Sequence, residues 1–244
     1  MSNTNNVWLA GFKLTSVNFY DIYPANSKKY DFPKHWKVLQ RIEKTADPKL
    51  LEIKKVFKEE MLELSDAGSY FFKTEYLPDS LWIESSDTKL PPSSEYIFKV
   101  RSGGVVFTQA CAQLLQQFRL GESTLTPVQI YDLETQQLCS DETFYFLNLC
   151  ERREYIQYPQ ADKVFKRFPT MEGRDKYGTS GVPVKDKQLL VNKSALNCEL
   201  DLWHDPLLTG HIFLSDALHD ALVQANMATQ WNMVSVASLK RLAK

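Results

Sequence analysis

The chain has 244 residues, with 29 Lys+Arg against 30 Asp+Glu and a formal charge of −1. That length supports one large domain or two small ones, and a hydrophobic content of 43% with 12% aromatic residues supplies a core without disulfide or metal staples. Near-neutral charge argues against a nucleic-acid partner, no run approaches the ~18 apolar residues of a bilayer span, and nine glycines, about half of ordinary usage, form no Rossmann or phosphate-loop pattern.

Met1 to Val17 lacks the basic and apolar regions of a secretory leader, so a cytoplasmic protein is expected. Val7 to Tyr23 mixes apolar, aromatic and hydroxyl residues and predicts one or two short strands, followed by a turn over Pro24 to Lys29. From Pro48 to Leu64, Leu50, Ile53, Phe57, Met61 and Leu64 recur at helical spacing, and Asp47 before Pro48 suits the N-cap of that helix. Ser69 to Ser86 and Glu95 to Val100 are aromatic and β-branched and predict strands and turns. Pro91-Pro92-Ser-Ser is the best boundary, giving an N-terminal α+β region over 1–94 and an α+β domain over 95–244.

Beyond that boundary the pattern occurs twice. Gly104 to Phe107 predicts a strand, Thr108 an N-cap, Gln109 to Phe118 a helix and Pro127 to Tyr131 a strand. Gly210 to Phe213, Ser215, Asp216 to Ala225 and Trp231 to Val236 repeat the order. Aligning Thr108 with Ser215 pairs Ala110 with Ala217, Leu115 with Leu222 and Gln117 with Gln224. Between the copies, Thr143 to Cys150 predicts a central buried strand, Tyr158 to Lys187 an exposed irregular excursion, and Gln188 to Asn192 and Cys198 to Trp203 further strands. The fold class expected is α+β, with a mixed or antiparallel sheet, packed helices and a repeated strand-helix-strand unit.

Candidate chemistry is sparse. Cys111, Cys139, Cys150 and Cys198 match no zinc or redox spacing and read as free, buried thiols. Ser180 lacks the strand-elbow context of a hydrolase nucleophile, and His35, His204, His211 and His219 form no H-E-x-x-H. Glu199, Asp201, His204, Asp205 and His211 form the densest group of possible metal ligands, but without template spacing. A surface turn is the simpler reading, and no metal or cofactor is expected. Glu151-Arg152-Arg153-Glu154 reads as a solvated, self-neutralising strand end.

Charge is unevenly spread. Residues 162–187 hold seven basic and four acidic residues, whereas Ser194 to Leu239 holds five acidic residues and no Lys or Arg. Such asymmetry steers and orients a charged protein partner when it faces solvent.

The order Val105 to Leu115, Leu125-Thr-Pro-Val128, Phe144-Tyr-Phe-Leu-Asn148 and Gly210-His-Ile-Phe-Leu-Ser215 through Leu222 resembles the bacterial immunity proteins of the immunity-eleven type. These are antidotes encoded beside polymorphic or type VI secreted toxins. The resemblance spans roughly Ser102 to Val236, departs in having Thr108 for the first Ser, and leaves Met1 to Ser94 unexplained. It implies a non-enzymatic cytoplasmic protein that neutralises one cognate toxin by stoichiometric binding, through an interface of ~1,200–2,000 Å² with aromatic or Arg anchors. Glu199, Asp201, Trp203 and Asp205, with Arg174 and Tyr177 in the excursion, are the expected contact residues. For Trp203 a core tryptophan at a strand end is the favoured alternative reading. The competing functions are a metal-assisted hydrolase built on His204, Asp205 and His211, and a secretion-system adaptor or chaperone.

Overall fold

The computed structural model describes residues 6–11, 20–29, 31–44, 48, 74–84, 89–158, 165–169, 175–179, 184–208 and 210–238. Strand β1 (Val7–Gly11) and β2 (Ile22–Ala25) fall within and just beyond the first predicted strand segment. Helix α1 (Phe32–Lys44), which the sequence reading lacks, follows. Asp31 caps it, accepting the Lys34 backbone N–H at 3.1 Å, and Phe32 and Trp36 pack beside Tyr23 with ring centroids 5.8 and 4.6 Å away. Strands β3 (Ser80–Ile83), β4 (Ile97–Lys99) and β5 (Val105–Thr108) lead into helix α2 (Gln109–Leu115), then β6 (Thr124–Val128), β7 (Ile130–Asp132) and β8 (Phe144–Asn148).

The predicted excursion contains a regular hairpin of β9 (Phe165–Pro169) and β10 (Asp175–Thr179). The two later strand predictions shrink to β11 (Leu190–Val191) and β12 (Leu202–Trp203). Strand β13 (His211–Ser215), helix α3 (Asp216–Gln224) and β14 (Met233–Ser238) complete the described chain. The helix predicted over Pro48 to Leu64, and its Asp47 cap, lie outside the described residues apart from Pro48.

Two compact units result: residues 1–18, 110–123 and 149–244 in the first, 19–109 and 124–148 in the second. Ser94 and Glu95 both fall within the second unit, so the chain does not divide at the proline pair. Segments far apart in sequence pair into the same sheet, and a local composition break cannot register this. The first unit holds a five-stranded sheet of order β11-β14-β1-β13-β12. The second holds β4-β5-β8-β6 and β2-β3-β7. The mixed and antiparallel pairing confirms the α+β class.

The strand-helix-strand pattern is built twice. In the second unit β8 lies antiparallel between β5 and β6; in the first, β1 lies antiparallel between β13 and β14. Each pair of flanking strands is therefore mutually parallel, the strand order of a split β-α-β unit, although from Ala110 onward α2 belongs to the first unit. An outer antiparallel strand, β4 or β12, then completes each set. Register agrees as well as order. Thr108 faces Phe144 and Ser215 faces Val7; Val106 faces Phe146 and Phe213 faces Leu9; Val128 and Val236 face Phe144 and Val7 from the other side. On the outer strand Phe98 opposes Val106 as Trp203 opposes Phe213.

The copies differ in where the central strand comes from. It follows the strand-helix-strand segment in one and precedes it, as β1, in the other. The buried faces match: Phe98, Val106 and Phe146 in one set and Trp203, Phe213 and Leu9 in the other are each at most 1% exposed. Burying each such side chain contributes roughly 1.5–3 kcal/mol, and Trp203 stacks on Phe213 with centroids 5.8 Å apart.

Candidate functional site

Within the first unit, the end of β13, the start of α3 and the segment 195–205 enclose a polar cluster. Its centre is Asp201. The Asp201 backbone N–H donates to the Arg119 carbonyl at 2.9 Å, and its carbonyl accepts the Ser215 N–H at 3.1 Å. The carboxylate takes the Ser215 hydroxyl at 2.6 Å on Oδ1, and the Arg119 backbone N–H and Nε at 2.9 and 3.2 Å on Oδ2. Ser215 Oγ in turn accepts the Leu218 N–H at 3.2 Å, so one serine both caps α3 and anchors the acid. Burial works to raise the Asp201 pKa, but these hydrogen bonds and the Arg119 charge outweigh it and hold the carboxyl below its ordinary value.

Arg119 is brought there by a tight turn. Gly121 has φ +60, and a Cβ at that position would meet Glu151 Oε1 at 2.0 Å. Its absence lets Glu151 approach and accept the Glu122 N–H at 2.7 Å. Arg153 then joins Glu151 to Glu199, at 3.1 and 3.0 Å.

Asp205 forms a second centre. Its Oδ1 accepts the Tyr158 hydroxyl and the Leu207 N–H, and Tyr158 stacks on Tyr177 at 4.0 Å between centroids. Burial raises the Asp205 pKa to about 6. Hydrogen bonds from Tyr158, Leu207 and the Ile156 backbone limit the rise, and Glu154 adds to it. The Tyr177 N–H donates to the Leu207 carbonyl at 2.7 Å, so Asp205 and this bond tie β10 to the 205–208 turn.

The first turn of α3 presents Asp216, His219 and Asp220. Asp216 Oδ1 accepts Trp8 Nε1 at 2.8 Å and Asn6 Nδ2 at 3.4 Å, and His219 stacks face to face on Trp8 at 3.5 Å. Among the described residues, these three alone bring metal-ligating atoms from three groups within 4.8 Å of one another. His219 Nδ1 is already hydrogen-bonded to Asp220 at 2.9 Å, and the positive end of the helix opposes a cation. The cluster complements the helix dipole, its Asp216 Oδ1, Asp220 Oδ1 and His219 Nδ1 atoms are already hydrogen-bonded, and nothing beyond this proximity marks a metal site. His204, Asp205 and His211, the sequence-level hydrolase candidate, are each at most 3% exposed and do not form such a group.

Beside Asp201 and Asp216 lies a cavity of about 130 Å³, with Trp203, Leu200 and Val7 as its buried wall and Arg119, Asp216 and Ala217 nearer solvent. It falls well below the ~300–1,000 Å³ of small-molecule and cofactor sites.

The structure distributes the six expected contact residues unequally. Glu199 is exposed, at 77% of its side chain, and paired with Arg153. Asp201, Trp203 and Asp205 are 4%, 1% and 1% exposed, which corrects their reading as an acidic surface turn: their carboxylates and ring are interior. Tyr177 is half-buried against Tyr158, and Arg174 lies outside the described residues. Sequence reasoning missed Arg119, Asn6 and Trp8, for which no local motif exists. Trp203 did carry a signal, its alternative reading as a core tryptophan at a strand end, and the structure sets it at the register position of Phe98. The four cysteines are free as expected, but only Cys111 is fully buried.

No protein-family model and no curated protein matches the chain. No helix among the described residues is long and apolar enough to cross a membrane.

Proposed function

We propose that this protein is a cytoplasmic immunity protein that binds and neutralises one cognate secreted antibacterial toxin by stoichiometric inhibition. The observation that carries the reading is the strand-serine-helix element. The residues on which the resemblance rests form β13, the Ser215 cap and α3, and the same order recurs through β5, Thr108 and α2 on a sheet of matching register. The asymmetric charge favours an oriented protein partner, and stoichiometric inhibition requires no chemistry of the protein's own.

Co-expression with the product of the adjacent open reading frame is the test. The expected result is rescue of growth and a complex of fixed stoichiometry by size exclusion with light scattering. A neighbour without toxicity, or toxicity that the protein does not relieve, overturns the reading.

A further inference from the structure

We propose that the β9–β10 hairpin is a pH-sensitive strap, fastened to the 205–208 turn while Asp205 is protonated and slackened when Asp205 ionises. The device lies in the fold itself and does not depend on the inhibitor reading.

The hairpin draws its order from what it is tied to. Strands β9 and β10 form a two-stranded sheet, and such a hairpin is at best marginally stable alone. The Tyr177 N–H donates to the Leu207 carbonyl at 2.7 Å, Tyr177 bridges to Leu208, and its ring stacks on Tyr158 at 4.0 Å. These ties converge on one residue. The Asp205 carboxyl accepts the Tyr158 hydroxyl and the Leu207 N–H on Oδ1, and its backbone carbonyl accepts the Leu208 N–H at 3.0 Å.

That carboxyl is placed to hold a proton more readily than a charge. Asp205 is 1% exposed, and its Oδ2 has no hydrogen-bond partner. Ionisation would put negative charge on this buried oxygen, which costs far more than an unpaired neutral carboxyl. The titratable groups around it are Glu154 and Tyr158 on the approaching segment, Tyr177 behind Tyr158, and His204 beside it in the chain. Glu154 opposes a second negative charge.

Burial and Glu154 together set the Asp205 pKa at about 6 in the fastened form. Slackening the strap admits water to Oδ2 and returns the group toward its ordinary value near ~3.9. Ionisation therefore favours the slack form. As pH rises from about 4 to about 6, the opening constant of the hairpin grows by up to about a hundredfold, then stays level.

The test follows amide hydrogen exchange in the full chain by NMR between pH 4 and pH 7.5, dividing each rate by that of an unstructured amide at the same pH. Protection at Tyr177 should fall by about tenfold to a hundredfold up to pH 6 and then level off. Dilute urea separates local release from global unfolding. Exchange at Tyr177 should respond weakly to urea, whereas Phe213 in the central sheet should respond steeply. Asp205→Asn should make the Tyr177 profile flat. Tyr158→Phe keeps the ring stack but removes a donor to the carboxylate, so the fall should continue above pH 6. A flat wild-type profile, a urea response at Tyr177 as steep as that at Phe213, or a wild-type profile in Asp205→Asn overturns the strap. Tyr158→Phe decides the matter if Asp205→Asn misfolds, because a profile that levels off at the wild-type pH is then the refuting result.

Discussion

Asp205 shows how a single carboxyl can be held at a cost to the fold. Its pKa of about 6 stands above the ~3.9 of an unfolded aspartate, so between these values the native state binds the proton that the unfolded state releases. Stability from this group therefore falls as pH rises from about 4 to about 6 and stays lower above that, by about 3 kcal/mol at most. Asp205→Asn keeps the oxygen that accepts Tyr158 and Leu207 and removes the charge. The expectation is that the urea midpoint of the variant, relative to wild type, climbs between pH 4 and pH 7; a constant difference would refute the buried-acid account. Asp201 titrates with the opposite sign, because its partners depress its pKa and its contribution is lost on acidification. That Asp201 and Asp205 are interior was not legible in the sequence. A charged pair flanking a tryptophan looks solvated until its partners are known, and these stand 82, 14 and 47 residues away, at Arg119, Ser215 and Tyr158.

At the scale of elements, the repeat is the part of the fold that the sequence carried best. Strand ends, helix starts and the Thr108–Ser215 equivalence were all visible as apolar periodicity broken by a hydroxyl residue. The central strands were not visible as equivalents, since Phe144–Asn148 and Val7–Gly11 occupy the same place in their sheets from opposite sides of their strand-helix-strand segments. Helix α1 was missed because prolines at 24 and 33 and the polar run between them dominate that stretch as turn signals, whereas its packing partner Tyr23 lies in a strand. The copies also differ in how the hydroxyl is used, which yields a sharp comparison. Ser215 caps α3 and holds Asp201, but Thr108 Oγ1 is buried with no hydrogen-bond partner. Ser215→Ala should cost about 2–3 kcal/mol, from a lost cap and a weakened buried carboxylate, while Thr108→Val should be neutral or slightly stabilising. Chemical denaturation of the two variants measures both, and equal losses would show that Thr108 acts as a cap after all.

For the whole molecule, a net charge of −1 conceals a long acidic stretch, and the fold decides how much of that stretch a partner can feel. Of its five acids, Asp201 and Asp205 are interior, whereas Glu199 and Asp220 expose 77% and 63% of their side chains. Steering depends on charges in contact with solvent, so the exposed pair sets the long-range field and the buried pair sets stability. Neutralising the former with Glu199→Gln and Asp220→Asn avoids creating repulsion with Arg153, which Glu199 contacts. Association with the toxin partner proposed above should then slow by about twofold to fivefold at low ionic strength, with dissociation little changed. The difference should vanish near 1 M salt, where the screening length is about 3 Å. Asp205→Asn, which alters a charge shielded by Tyr158 and the 205–208 turn, should leave the association rate of the folded protein unchanged at every salt concentration. Stopped-flow kinetics on these variants separates the two roles: a rate that responds to Asp205 and not to the exposed pair would place the recognition surface elsewhere on the chain.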